Sequence, residues 1–341
     1  MNIKSNKIWI EKYRPTNNIQ HNEIKQLIST KNNINELPHL LFYGSSGTGK
    51  TTTALAICKY IFASEISHID NYKSIFKERV LELNASDERG IKVVREKIKF
   101  FAAQALNKYT NIPFFKIIIL DEADTMTNDS QFALRRIIEQ YSHITRFILI
   151  CNYITKIIPP LSSRCSKYRF NVINLSSMTI IIKNILINEN ILFNESTIDS
   201  IMQNIYNYSN GDLRKAITLL HRSVYVANIN NEILSSELIN EISGKIPNYY
   251  IDNLYKAITS KGKSYKNIII NLTNILNNGY SATDILNELS MIILNDFNLI
   301  DSQKSAIFIK ISDISNLLSN GSGNYIQILT ICSYINYIAT H

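Results

Sequence analysis

Gly44-Ser45-Ser46-Gly47-Thr48-Gly49-Lys50-Thr51 decides the fold of this chain. It fills every position of the phosphate-loop pattern G-x-x-x-x-G-K-[ST]. The flanks agree with it. Leu40 to Tyr43 form a short apolar run suited to a buried strand, and Thr52 to Phe62 carry Ala54, Leu55, Ile57, Cys58, Ile61 and Phe62 at helical spacing. Strand, glycine loop and helix, in that order, aim backbone N–H groups at an anion on a helix N-terminus. Lys50 then supplies a point charge for the outer phosphates, and the Thr51 hydroxyl is a Mg²⁺ ligand.

Working outward, Phe115 to Leu120 is an apolar strand ending in Asp121-Glu122-Ala123-Asp124. Carboxylates at the C-terminal end of a buried parallel strand sit where open α/β sheets bind ligands. Asp121 suits the Mg²⁺ shell, and Glu122 suits orienting and deprotonating water. Arg146 to Cys151 reads as another strand with Asn152 at its end, where an amide can orient water beside a γ-phosphate. Val80, Leu81 and Leu83 mark a further short strand, and Tyr168 to Phe170 a last one. The polar stretch from Ser64 to Glu78 reads as irregular chain. Ile91 to Leu106 reads as a helix with Lys92, Arg95 and Lys99 on one face and Arg89 just before it. Such a basic stripe is, on local grounds alone, a solvated face.

Beyond about Asn174 the strand signal vanishes and helices succeed one another to Ala339, broken by Gly and Asn. Ser209 to Asp212 reads as a turn and cap before a helix that opens with Arg214 and Lys215. The 341 residues suggest two or three domains. A net charge of +8 is compatible with an anionic partner such as nucleic acid. The four cysteines have no C-x-x-C spacing, which argues against zinc and for a reducing compartment. The polar N-terminus and the lack of a long apolar run point to a soluble chain with no membrane association.

Together these motifs resemble the AAA+ clamp-loader family, specifically the small subunits of replication factor C, over nearly the whole chain. Trp9-Ile-Glu-Lys-Tyr-Arg-Pro15 resembles the family's adenine-pocket signature, so the resemblance implies nucleotide contacts at Tyr13, Arg14 and Pro15 besides Gly44 to Thr52. Leu81 to Ile91 resembles the signature after the second strand. Asp121 to Asp124 matches Walker B, Asn152 sensor 1, Ser163-Arg164-Cys165 the arginine-finger motif, and Gly211 to Arg214 sensor 2. The family's loop usually carries Pro-Pro where Ser45-Ser46 stand; serine restores N–H donors and gives up proline's rigidity.

The resemblance implies an α/β fold with three parts. These are a Rossmann-like AAA+ P-loop ATPase domain over 1–173, a helical lid over 174–243 and an all-α collar over 244–341 that joins five different subunits in a ring. It implies ATP and Mg²⁺ as cofactors. It implies four other replication factor C subunits, the sliding clamp PCNA and primer–template DNA as partners, and the nucleus as location. Arg89, Lys92 and Arg95 become candidate contacts to duplex phosphates, Asp121, Glu122 and Asn152 catalytic groups of this chain's own site, and Arg164 a catalytic arginine supplied to a neighbouring subunit's nucleotide. Two rivals remain at this level: another AAA+ ATPase that remodels nucleic acid, and a loader subunit that binds ATP without hydrolysing it.

Overall fold

The computed structural model describes residues 8–14, 37–63, 72–86, 91–106, 113–191, 197–230, 232–260 and 265–340. Helix α1 (Trp9–Lys12) precedes β1 (His39–Gly44), α2 (Lys50–Ala63), α3 (Tyr72–Arg79), β2 (Val80–Asn84), α4 (Ile91–Ala103), β3 (Lys116–Asp121), α5 (Asn128–Tyr141), β4 (Thr145–Cys151), α6 (Pro159–Ser162) and β5 (Cys165–Phe170). The five strands form one parallel sheet in the order β2-β3-β4-β1-β5. A parallel sheet is covered on both faces, so its central strands need apolar side chains at nearly every position. That is how Leu40-Leu41-Phe42, Ile117 to Leu120 and Phe147 to Cys151 read, and all are buried. Alternate residues feed opposite faces. Leu40, Phe42, Ile117, Ile119, Ile148 and Ile150 pack with α2, while Leu41, Ile118, Leu120, Phe147 and Leu149 pack with α4 and α5. The edge strand β5 alternates buried ends with exposed Lys167 and Arg169.

The expected α/β class and the strand at each predicted place are present, with two local differences. Tyr72–Arg79 is helical where the sequence predicts irregular chain. Ile75 is buried, Phe76 packs against the core, and the fully buried Arg79 reaches the carbonyls of Pro113 and Phe115. These contacts are distant in sequence, so local polarity hides the helix. Pro159-Pro160, a pair whose sequence predicts a break in the chain, instead starts the short helix α6. Proline at the first helical positions lacks only N–H groups that have no intrahelical partner anyway.

Further on, α7 (Leu175–Asn188), α8 (Ile198–Ser209) and α9 (Leu213–Asn230) follow, then α10 (Ser236–Ser243), α11 (Asn248–Thr259), α12 (Tyr265–Asn277), α13 (Ala282–Asn295), α14 (Asp301–Ser319) and α15 (Asn324–Thr340). Asn174 and Ser235 cap α7 and α10 through side-chain oxygens, and Asn210 and Gly244 end α8 and α10 in the left-handed conformation. Contacts divide the chain into two compact units, one ending at Leu234 and the other starting at Ser235. The second is an all-helical body around an apolar core that includes Leu254, Leu272, Ile285, Leu289, Ile307 and Ile331. No described helix is long and apolar enough to cross a membrane.

Candidate nucleotide-binding site

The C-terminal ends of β1, β3 and β4 lie side by side in the sheet, so three sequence-distant motifs converge. From β1 comes the phosphate loop. Gly44 approaches β5 so closely that a Cβ would lie 2.1 Å from the Phe170 carbonyl oxygen, and Gly47 has φ +66°, a conformation that favours glycine. The Thr48 hydroxyl donates to the Ser45 carbonyl and steadies the turn. Lys50 is the first residue of α2 and is buried. Its Nζ donates to the carbonyls of Gly44 (2.7 Å) and Ser45 (2.6 Å) and to Asn152 Oδ1 (3.1 Å). Burial pulls the ammonium pKa down, Asp121, Cys151 and Asp124 oppose that, and the Arg214 guanidinium adds to the lowering.

At the end of β3, Asp121 Oδ2 accepts from the Thr51 hydroxyl at 2.6 Å, and Oδ1 accepts from the Glu122 N–H at 2.9 Å. Two hard oxygens, one hydroxyl and one carboxylate, suit Mg²⁺, which takes one or two protein oxygens and completes its shell with phosphate and water. Among the described residues no cluster of three or more His, Cys, Asp or Glu could hold a metal by itself. Glu122, the residue just past β3, adopts φ +53°, a left-handed conformation that is strained for a non-glycine residue. Asp124 Oδ2 accepts from the N–H groups of Asn152 and Tyr153, joining the ends of β3 and β4.

A buried glutamine that the motifs do not reveal holds the rest of this rim. Gln131 on α5 donates to the carbonyls of Met126 and Lys156 and accepts from the Ile158 N–H. One side chain thus fixes the segment after the carboxylates, the segment after Asn152 and the start of α6.

The predicted N-terminal contacts divide. The Arg14 Nε donates to the Thr52 hydroxyl at 3.3 Å, which brings the leader to the phosphate-loop helix. Tyr13 and Lys12 both donate to Glu189 just beyond α7, at 2.6 and 2.5 Å, and Trp9 stacks on His221 of α9 with ring centroids 4.7 Å apart. The leader aromatic therefore packs on the helices after Asn174. Pro15 and Arg89 lie outside the described residues, as do the side chains of Lys92 and Arg95.

Arg164, between α6 and β5, is held by groups on α6 and α5. Its guanidinium donates to the Pro160 carbonyl at 2.7 Å and to Glu139 at 2.5 Å, and Glu139 also pairs with Arg135. Those two arginines, Arg135 first, hold the Glu139 carboxyl below its ordinary range. Arg214 opens α9, where its backbone N–H donates to Asp212 Oδ1 at 2.9 Å. Asp212 also accepts from the Ser46 hydroxyl of the phosphate loop. The sequence marks Asp212 as a cap; its loop partner is far away in the chain and carries no local signal.

The comparisons with known proteins agree with one another. The AAA family model (ATPase family associated with various cellular activities) matches residues 40–172, and the replication factor C C-terminal domain model matches 246–334. Replication factor C subunit 2 of Oryza sativa is 42% identical over 285 residues, covering 82% of this chain and 79% of that protein. Subunit 2 of Saccharomyces cerevisiae is 40% identical, covering 80% and 77%, and subunit 4 of Homo sapiens is 39% identical, covering 80% and 73%. Among solved structures, the RuvB Holliday junction branch migration motor of Thermotoga maritima shares the fold with TM-score 0.51 at 15% identity, over 82% of this chain and 91% of that one.

Proposed function

We propose a working role that starts from a settled premise: the chain belongs to the replication factor C family and is an ATPase subunit of the clamp loader. Nucleotide binding and membership of an oligomeric assembly follow from that family. Beyond it, our reading is that the phosphate loop binds ATP with Mg²⁺, that the subunit joins four others to open PCNA and place it on primer–template DNA, and that it does so in the nucleus. The segments 87–89, 163–170 and 211–217 resemble most the subunit numbered 4 in vertebrates and 2 in yeast. The three-part division at 173/174 and 243/244 belongs to this reading as well. The likeness to RuvB concerns the fold alone and lends no weight to a branch-migration role.

The observation that carries the reading is the joint geometry of Lys50, Thr51, Asp121 and Asn152. Phosphoryl transfer asks a protein for positioning and charge stabilisation more than covalent chemistry. Lys50 would exchange its carbonyl and amide partners for outer phosphate oxygens, joined by the N–H groups of Gly47 to Thr52. Thr51 and Asp121 would hold Mg²⁺, which when bound neutralises charge on the phosphates. Glu122, just past β3, would orient and deprotonate the attacking water, and Asn152 and Arg214 would contact the γ-phosphate. Tyr13, Arg14 and Pro15 would border the adenine. Arg89, Lys92 and Arg95 would touch duplex phosphates without reading sequence.

Lys50→Ala tests this. Loss of a charge-assisted contact of about 1.5–3 kcal/mol should weaken ATP binding by roughly 10- to 150-fold in a calorimetric titration, with the chain still folded. Unchanged affinity would overturn the assignment of the loop.

A further inference from the structure

The contact between Ser46 and Asp212 has no part in the chemistry just described, yet it joins its two halves. Asp212 is 8% exposed and sits at the N-cap of α9. Its Oδ1 accepts from the backbone N–H groups of Arg214 (2.9 Å) and Lys215 (3.2 Å), closing the first turn of the helix. Its Oδ2 accepts from the Ser46 hydroxyl at 2.8 Å. The phosphate loop also receives the helix directly, through the Leu213 N–H on the Gly47 carbonyl at 3.2 Å. The fit is tight: a Cβ on Gly47 would lie 1.7 Å from Asp212 Oδ1. The corner before Asp212 is fixed in turn, because Gly211 has φ +78° and its carbonyl accepts from the Ile173 N–H.

From this we propose that Ser46 and Asp212 are positioning residues: one carboxylate, shared between the helix cap and the loop, fastens Arg214 to the phosphate loop so that nucleotide arriving at the loop is read by Arg214. The physical reason is division of labour between the two oxygens. The N-cap bonds fix the first turn of α9, and the Leu213 N–H on the Gly47 carbonyl gives it one tie to the loop. The Ser46 hydroxyl engages the second oxygen of Asp212 and adds another tie, so the start of the helix is held at two points in place of one. A proline at position 46 would have no hydroxyl to donate. Since Arg214 is only the second residue of α9, a shift of the helix start transfers to it directly. The loop backbone grips the inner phosphates whatever α9 does, so the fastener should matter for the outermost phosphate. The inference rests on the reading of Arg214 as a γ-phosphate contact, and the test separates the two.

The experiment uses the full chain with ADP and a non-hydrolysable ATP analogue. Ser46→Ala keeps the loop backbone and the Asp212 cap, and should lower the preference for the triphosphate over ADP by about tenfold, the low end of the effect of one hydrogen bond to a charged group. Ser46→Thr, which keeps a hydroxyl, should restore it. In an Arg214→Ala background, Ser46→Ala should cost nothing further. Equal weakening of both nucleotides, or the same loss with and without Arg214, would overturn the proposal. Hydrogen exchange gives the second arm. Nucleotide should slow amide exchange at Leu213 to Lys215 in the native chain and in Arg214→Ala, but not in Ser46→Ala. If Arg214→Ala leaves the nucleotide preference unchanged while the exchange pattern holds, the role of Arg214 is wrong and the fastener stands. If Ser46→Ala retains the slowing, the fastener is wrong.

Discussion

The two compact units bury different chemistry. In the unit ending at Leu234 the buried residues include Lys50, Arg79, Lys116, Gln131 and Asp212, and each of these makes hydrogen bonds. From Ser235 onward no described polar or charged residue is buried, and the core is Ile, Leu and Ala with Cys332. Burying a polar group is unfavourable unless it is paired, and pairing is directional. The first unit thereby gains fixed positions for carboxylates, amides and an ammonium at one end of its sheet. The second gains cohesion from area and shape, which tolerate exchange of similar side chains. Chemistry belongs to the one and packing to the other.

The largest effect that sharpens this contrast is expected at a residue on the surface of the first unit. Arg164 is exposed and rests on Glu139 and the Pro160 carbonyl. If it serves a neighbouring subunit's nucleotide, Arg164→Ala should slow hydrolysis there by about 10³–10⁵-fold, the scale of an arginine supplied across an interface. Lysine should rescue it poorly, because the planar fork is lost. Turnover measured with the other subunits inactivated in turn locates the defect; a defect at this chain's own site would break the assignment.

The second unit should respond through stability alone. Leu289 on α13 is fully buried. Leu289→Ala should cost about 2–5 kcal/mol in urea unfolding, and Leu289→Met less than about 1.5 kcal/mol. The nucleotide affinity of the folded protein should be unchanged in both. A loss of affinity would show that the two units share the chemistry.

A smaller effect tests buried polarity in the first unit. His39 Nδ1 accepts the Phe147 N–H, and burial, with Arg146 adding to it, lowers its pKa to about 4. In the unfolded chain the imidazole titrates near its ordinary value of 6.5, so below that pH the unfolded state binds a proton that the folded state refuses. Stability should therefore be full above about pH 6.5 and fall as pH drops toward 4, by up to about 3 kcal/mol. His39→Gln should flatten that part of a stability-against-pH curve. An unchanged slope would mean that His39 takes up its proton in the folded state.

How much of this was legible beforehand depends on distance along the chain. The phosphate loop, the Asp121-Glu122 pair and the central strands are local patterns, and each stands where its pattern predicts. The helix at Tyr72–Arg79 was not legible, because the partners of Arg79 lie more than thirty residues away. Glu139 beneath Arg164, Glu189 beneath Tyr13 and the loop partner of Asp212 are likewise long-range pairings of ordinary surface residue types. Gln131 reads as one more polar residue on an amphipathic helix until its burial is known. Sequence periodicity reports which face is buried; it does not report which polar group is buried with a partner.

The family makes this chain an ATPase, and the central claim about its site is the proposed role of Glu122, just past β3, in activating water. The most direct measurement is ATP turnover, with clamp and primer–template DNA present, by a reconstituted five-subunit complex carrying Glu122→Gln in this chain alone. The substitution keeps the size, turns one acceptor oxygen into an NH2 donor and removes the carboxylate proposed to take the proton. ATP binding at this site should persist while total turnover falls by this site's share. Turnover equal to that of the native complex would contradict the account, because this site would then hydrolyse ATP without the Glu122 carboxylate.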